Sequence, residues 1–392
     1  IGSSANADAG HVEAVSPNLV AEVDRSAVVD ASRLGYPARM DHLIDPAWFE
    51  GMPTIVLLLL VAAAMYAVIK GADLLVEGAS GMALRAGVSK VIVGATIVSL
   101  GTTSPECAVS VFAAWQGNAG LALGNAVGSI IADTALIFGV GCLMATLPVD
   151  RFLLNRQGWV QFGSAMVLAT ICYVLWQTSD DPRIGRGVGL LFLGALVAYM
   201  IVSVRWGRQH SASVADHVRH EEDEILDAAS RDSWWKLSSF FVLGLAMVIV
   251  FAQVLIICIT IVAERWGVPQ VVIASTIVAF GTSLPELAVG LTAVRKGHAE
   301  LLIGNVIGAD ILNVLFVIGA SATAKPLPVL DPLATRPEIF LILHLPTMIV
   351  VLALFRLYIF RAIRLGHFSR WMGAPLLVMY VGYLIANVVL SR

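Results

Sequence analysis

Two proline-glutamate pairs stand inside apolar stretches, each preceded by hydroxyl residues: Thr102-Thr103-Ser104-Pro105-Glu106 and Thr282-Ser283-Leu284-Pro285-Glu286. Proline lacks an amide hydrogen and clashes with the preceding turn, so each pair breaks a helix. The break is expected to free the carbonyls of Ser99 to Thr102 and of Ala279 to Thr282. Released carbonyls at the negative end of a half-helix favour a cation. The glutamate that follows adds a carboxylate, whose place in mid-membrane costs at least about 3 kcal/mol and is sustained by a cavity and a counter-charge. Two carboxylates with hydroxyl and carbonyl oxygens make a hard-oxygen cage of the kind that Ca²⁺ and Na⁺ accept. No His or Cys completes a zinc-type set beside them.

Downstream of each glutamate lies a second polar run: Gly124, Asn125, Gly128, Ser129 and Asp133, then Gly304, Asn305, Gly308, Ala309, Asp310 and Asn313. Glycines at these spacings let helices approach, and asparagine hydrogen-bonds across such a contact. Asn125 and Asn305 therefore read equally well as interhelical bonds and as cation ligands. Ser129 and Asp133 share a helix face, as do Ala309 and Asn313. Asp133 is an intramembrane charge and so a site candidate. Asp310 points off that face and either lines the site or caps a neighbour.

The elements that position these residues follow from a repeat. The segment from Gly94, GATIVSLGTTSPECAVSVFAAWQGNAGLALGNAVGSIIADTALIFGVG, matches that from Ala274, ASTIVAFGTSLPELAVGLTAVRKGHAELLIGNVIGADILNVLFVIGAS, without a gap, at an offset of 180. Apolar stretches long enough to span hydrocarbon fall at 52–70, 91–115, 121–147, 157–178, 186–206, 236–262, 270–294, 299–322, 337–360 and 372–391. The fold expected is an all-α polytopic membrane protein of ten transmembrane helices. Five spans separate equivalent positions, so the halves cross in opposite senses, as two inverted five-helix repeats with helices broken at the midplane. Inverted repeats place substrate at their interface and let one bundle rock against the other, which is transporter architecture.

Composition agrees: 58% of the 392 residues are hydrophobic and 14% charged, against roughly 25% charged in soluble chains. No basic stripe supports nucleic-acid binding. Cys107, Cys142, Cys172 and Cys258 all lie in apolar segments, as packing residues rather than a disulfide framework. Residues 1–50 read as an extracytoplasmic extension, 51–206 and 236–392 as the two five-helix repeats, and 207–235 as a cytoplasmic loop. About 16 of the 25 Lys and Arg residues fall on one set of alternate loops, which places both termini outside. Glu221, Glu222, Asp223 and Glu224, beside His217 and His220, read as a solvated linker because EF-hand spacing is absent.

At its two signatures, GTTSPE followed by GNAVGS and GTSLPE followed by GNVIGA, the chain resembles the cation/Ca²⁺ exchanger superfamily, more specifically its Na⁺/Ca²⁺ exchangers. The likeness covers everything from the first span onward. It implies four central cation positions in a diamond. Glu106 and Glu286, with backbone oxygens of Thr102 and Thr282, would hold Ca²⁺. Thr103, Ser129 and the carbonyl of Ser99 would serve one flanking Na⁺ position, and Ser283 with the carbonyl of Ala279 the other. Asp310, Asn125 and Asn305 are additional candidates. Well-matched members carry Ser-Asn after the glycine in both repeats, whereas this chain reads Ser129-Ile130 and Ala309-Asp310. The Asn and Asp four residues after those serines are also exchanged, as Asp133 and Asn313.

The expected activity is secondary antiport of Ca²⁺ against Na⁺, with K⁺ linkage open and no cofactor, in a plasma or bacterial inner membrane. A Ca²⁺/H⁺ antiporter using the same two glutamates is the alternative, and hydroxyl-rich motifs favour Na⁺ over it. A passive channel suits paired broken helices less well. Gly78-Ala79-Ser80-Gly81 spells the GxSG of intramembrane proteases but lacks an adjacent base, so no enzyme is expected. His344 reads as a packed histidine, and Asp73 and Glu77 as an interfacial salt-bridge pair. Oligomeric state is not specified by the sequence.

Overall fold

The computed structural model describes residues 44–86, 88–215, 233–267, 279–331 and 336–390. Most of the 1–50 extension, the acidic run with its two histidines, and the upstream part of the seventh expected span lie outside the described residues.

The described residues are almost entirely helical: α1 (Thr54–Ala86), α2 (Lys90–Thr102), α3 (Ser104–Gln116), α4 (Ala119–Met144), α5 (Arg151–Thr178), α6 (Arg186–Ala215), α7 (Trp234–Arg265), α8 (Ala279–Thr282), α9 (Leu284–Arg295), α10 (Ala299–Ala324), α11 (Phe340–Leu365) and α12 (Gly373–Leu390). Among the described residues 8 helices are long and apolar enough to cross a membrane, or 9 if the α2–α3 pair, bent by 45°, counts as one span.

Helix α1 runs well past residue 70, where the apolar stretch ends. Lys70, Asp73 and Glu77 lower its hydropathy, but small residues keep one face against α7, and the two helices pack along their length. The contact is backbone to backbone: a Cβ on Gly244 would sit 2.4 Å from the Leu75 amide nitrogen. Gly78 and Ser80 of the GxSG string are buried in this helix, not in a loop.

Helices α4 and α10 form the centre, and 94% of the apolar window of α10 is buried. A helix buried on all sides must be apolar all round, so any polar side chain on it needs a specific reason. Both contain a π-helical turn, Ala132–Ile137 and Asn313–Ile318, and a further one lies within α2 at Gly94–Val98. Such turns concentrate at functional sites. Two-residue strands tie the loops: β1 (Leu147–Pro148) pairs antiparallel with β4 (His367–Phe368), and β2 (Arg183–Ile184) with β3 (Leu327–Pro328). Phe368 anchors the first pair against Phe138, with ring centroids 5.0 Å apart.

Candidate cation site

The two breaks have the same local geometry. Thr103 (φ −82, ψ −6) and Ser283 (φ −88, ψ 7) both leave the helical region for the sparsely allowed bridge region, and Pro105 and Pro285 begin the helices that follow. Helix α3 resumes with Cys107 N–H to the Thr103 carbonyl at 3.1 Å, and α9 with Leu287 N–H to the Ser283 carbonyl at 3.0 Å. Glu106 and Glu286 thereby occupy first turns, where the positive end of the helix favours a carboxylate. The Ser99 carbonyl, expected among those released, instead accepts from Thr103 N–H at 2.8 Å and from the Thr102 hydroxyl at 3.4 Å. The acceptor that Pro105 deprives is one turn back from itself, at Gly101.

Hydroxyl and amide groups cross between the repeated segments in matching pairs. Thr102 donates to Asn305 Oδ1 at 3.5 Å, and Thr282 to Asn125 Oδ1 at 3.3 Å, positions related by the offset of 180. Asn125 also donates to Ser110 Oγ at 3.0 Å and to the Glu106 carbonyl at 3.4 Å. Both asparagines thus serve as interhelical bonds. The match fails one residue on. Ser283 donates to Ser129 Oγ at 3.4 Å, but the counterpart of Ser129 is Ala309, so the Thr103 hydroxyl turns to Glu286 Oε1 at 3.3 Å. Glu286 therefore has a side-chain donor that Glu106 lacks.

Four carboxylates are almost fully buried: Glu106 is 1% exposed, Asp133 1%, Glu286 2% and Asp310 2%. Glu106 lies within electrostatic reach of Glu286 and Asp133, and Asp133 within reach of Glu286 and Asp310. Both carboxylate oxygens of Glu106 and of Asp133, Glu286 Oε2, Asp310 Oδ1 and the Asn313 amide oxygen have no hydrogen-bond partner among the described residues. Each uncompensated buried charge costs several kcal/mol. A cluster of unpartnered acidic and amide oxygens is chemically suited to taking up hard cations. The described residues hold no ready-made set of three or more His, Cys, Asp or Glu ligands, so the cage must draw on hydroxyl, amide and carbonyl oxygens as well.

Asp133 and Asn313, related by the offset of 180, are the second residue of the π-helical turn of α4 and the first of that of α10. The neighbouring crossing of α2 over α10 requires glycine: a Cβ on Gly304 would meet the Val91 carbonyl oxygen at 2.2 Å. Asp310 both faces the interior and bonds a neighbour, since the Thr134 hydroxyl and the Gln161 amide each donate to its Oδ2 at 2.5 Å. Thr134, Gln161 and Ser110 were not singled out by spacing. The available signal was Gln157 and Gln161, one turn apart in an otherwise apolar stretch of α5.

Other sequence features are structural. His344 is buried, with its Nδ1 2.7 Å from the Tyr383 hydroxyl. Lys296 pairs with Asp73 at 3.7 Å and Glu77 at 3.8 Å. The four cysteines are free and buried.

Comparison with known proteins bears on this arrangement. Residues 56–205 and 236–389 match the sodium/calcium exchanger protein family. CaxA of Alkalimonas amylolytica is 32% identical over 329 residues, covering 84% of this chain and 98% of the relative. The sodium/calcium exchanger MaX1 of Methanosarcina acetivorans is 29% identical over 356 residues, covering 85% and 99%. The solved structure of the sodium-calcium exchanger NCX_Mj shares the fold, with a TM-score of 0.68 at 24% identity over 85% of this chain and 98% of its own. A helical membrane fold, a repeated Pro-Glu break and a match over both halves lead to one conclusion: this chain is a membrane transporter, not an enzyme, and belongs to the sodium/calcium exchanger family.

Proposed function

We propose that the protein is a secondary antiporter that exchanges Ca²⁺ for Na⁺ by alternating access, with Glu106 and Glu286 as the shared cation site. The observation that carries this reading is the pair itself. Two glutamates sit at equivalent positions, each just after a helix-breaking proline, both buried and within electrostatic reach, with no basic partner bonded to either among the described residues. Ca²⁺ would neutralise both carboxylates, helped by backbone oxygens of Thr102 and Thr282. Na⁺ would take flanking positions built from Thr103 and Ser129, with the Ser99 carbonyl offering a remaining lone pair, and from Ser283 and the Ala279 carbonyl. Asp133 and Asn313 would complete the shell. The flanking positions would border the same two carboxylates, so Na⁺ and Ca²⁺ would compete for their charge. An ion shifts the inward-open and outward-open populations only by its differential affinity for them.

The ten-helix inverted architecture belongs to the same reading, and strand pairing supports it. Paired strands must lie on one side of the membrane. Between β1 and β4 the chain crosses through α5, α6, α7, α10 and α11, so the strands return to one side only if the segment ending in α8 and α9 crosses too. The same parity holds between β2 and β3, through α6, α7 and α10. In this reading the Lys and Arg distribution assigns both termini to the outer side of a plasma or bacterial inner membrane.

The test is ⁴⁵Ca²⁺ uptake by proteoliposomes loaded with Na⁺, with and without external K⁺. Uptake should follow the outward Na⁺ gradient. Uptake indifferent to Na⁺ but driven by a pH gradient would assign the protein to Ca²⁺/H⁺ exchange.

A further inference from the structure

The polar group around Asp310 has no counterpart in the other half of the chain. At the offset of 180, Asp310 corresponds to Ile130, Thr134 to Val314 and Gln161 to Leu341, and all three counterparts are buried hydrophobes. The offset still holds between Thr134 and Gln161, where Leu147-Pro148 matches Leu327-Pro328. One copy of this local geometry therefore packs with apolar side chains alone. The Asp310 group is not something the repeat needs in order to fold.

Within the group, the Thr134 hydroxyl and the Gln161 amide both hold Oδ2 of Asp310. Its Oδ1, on a side chain 98% buried by its 2% exposure, has no partner among the described residues. Asp133, the residue before Thr134, lies within electrostatic reach of Asp310 and has both carboxylate oxygens unpartnered. The same helix carries a second amide network. One turn earlier, Gln157 donates to Ser203 Oγ at 2.7 Å, and the Tyr199 hydroxyl lies 2.7 Å from Gln157 Oε1 and 3.2 Å from the Ala95 carbonyl. This network fixes α5 against the π-helical turn of α2.

A carboxylate orientated by two donors on one oxygen, with the other oxygen open and a second unpaired carboxylate nearby, is a cation site of low ligand charge. Two glutamates already provide the charge for one divalent ion. We propose that Asp310, orientated by Thr134 and Gln161, holds one further monovalent metal cation, Na⁺ or K⁺, beside the Glu106–Glu286 pair. The proposal rests on the antiport reading above, which it extends by one ion per cycle. The open atoms, Oδ1 of Asp310 and the two oxygens of Asp133, are hard carboxylate oxygens suited to an alkali cation, and among the described residues no thiol or imidazole bonds to Asp310.

The experiment is equilibrium ²²Na⁺ binding to the purified full chain, with ⁸⁶Rb⁺ as the K⁺ probe. Asp310→Asn is nearly isosteric and should bind a single monovalent ion fewer than wild type. The double variant Glu106→Gln, Glu286→Gln should keep a single ion that Asp310→Asn then removes. Binding of ⁸⁶Rb⁺ but not ²²Na⁺ at that position would identify K⁺ as the occupant. Thermal melting checks that each variant is folded. Should Asp310→Asn fail that check, Thr134→Val, which loses one donor, should weaken the same ion by roughly 10-fold. An unchanged ion count in folded Asp310→Asn overturns the proposal, as does lost pH dependence of transport with no change in count, which would place a proton there. Failure of Na⁺-driven ⁴⁵Ca²⁺ uptake in wild type, with Asp310-dependent binding intact, would sink the antiport reading and leave the site.

Discussion

Replacing Glu106 by Gln separates the cost of the site from its use. The side chain is 1% exposed, neither carboxylate oxygen has a partner among the described residues, and Glu286 and Asp133 lie within electrostatic reach. Glutamine keeps the shape and removes the charge. A bound Ca²⁺ then loses one of its two anionic partners. Removing one member of a buried charge pair costs about 3–5 kcal/mol, which is a loss of affinity of roughly 10²–10³-fold or more. Exchange should fall to background in ⁴⁵Ca²⁺ flux, and raising Ca²⁺ within practical limits should not restore it. In cation-free buffer the fold itself should be no less stable, because a buried uncompensated charge has been replaced by a neutral amide. Melting temperature equal to or above wild type, with flux lost, is the expected pair of results. Glu286→Gln should behave likewise for flux, with Thr103 still able to donate to the new amide oxygen. Wild-type exchange in either variant would refute the assignment of the pair, and a large drop in cation-free stability would refute the electrostatic reasoning.

Other consequences are direct. Asp133→Asn should change the Na⁺ or K⁺ dependence of transport more than its Ca²⁺ affinity, and unchanged dependence would make Asp133 a structural residue. Gly304→Ala would drive a Cβ against the Val91 backbone oxygen, costing about 1–3 kcal/mol of stability, and an unaltered melting temperature would contradict the close crossing of α2 and α10. His298, in the turn between α9 and α10, has Lys90 Nζ 3.0 Å from its Nδ1. Partial burial, and then the charge of Lys90, keeps its pKa below the ordinary 6.5. The folded state thus binds the proton less readily than the unfolded state. Stability at this junction should fall as pH drops through 6.5 and level off below the lowered pKa. His298→Gln should flatten that dependence between about pH 7 and 5, measured by hydrogen exchange or melting.

The breaks, the repeat and both glutamates were legible in the sequence because proline and charge are rare inside apolar helices and each signal occurs twice. Helix ends were less legible. Lys70, Asp73 and Glu77 bring the first apolar stretch to a close, yet α1 continues through them, since its contact with α7 depends on glycine and alanine rather than on hydropathy. The two-residue strands are too short to carry any pattern. Around the site, the departures at Ala309 and Asp310 were visible, but their consequences were not. That Thr103 turns to Glu286 follows from a hydroxyl missing on another helix. That Asp310 is held by Gln161 depends on a partner 149 positions away. The Ser99 carbonyl shows a different limit: proline removes a donor one turn ahead of a particular acceptor, and a helix that bends at Thr103 still satisfies the carbonyl before it.

Ca²⁺ and Na⁺ are expected to compete for Glu106 and Glu286. Equilibrium ⁴⁵Ca²⁺ binding to the purified protein, titrated with Na⁺, addresses it without the complications of flux. One class of Ca²⁺ site is expected, displaced competitively by Na⁺ and absent from both glutamate-to-glutamine variants. Ca²⁺ binding that persists in those variants, or that Na⁺ at saturating concentration leaves untouched, would contradict it.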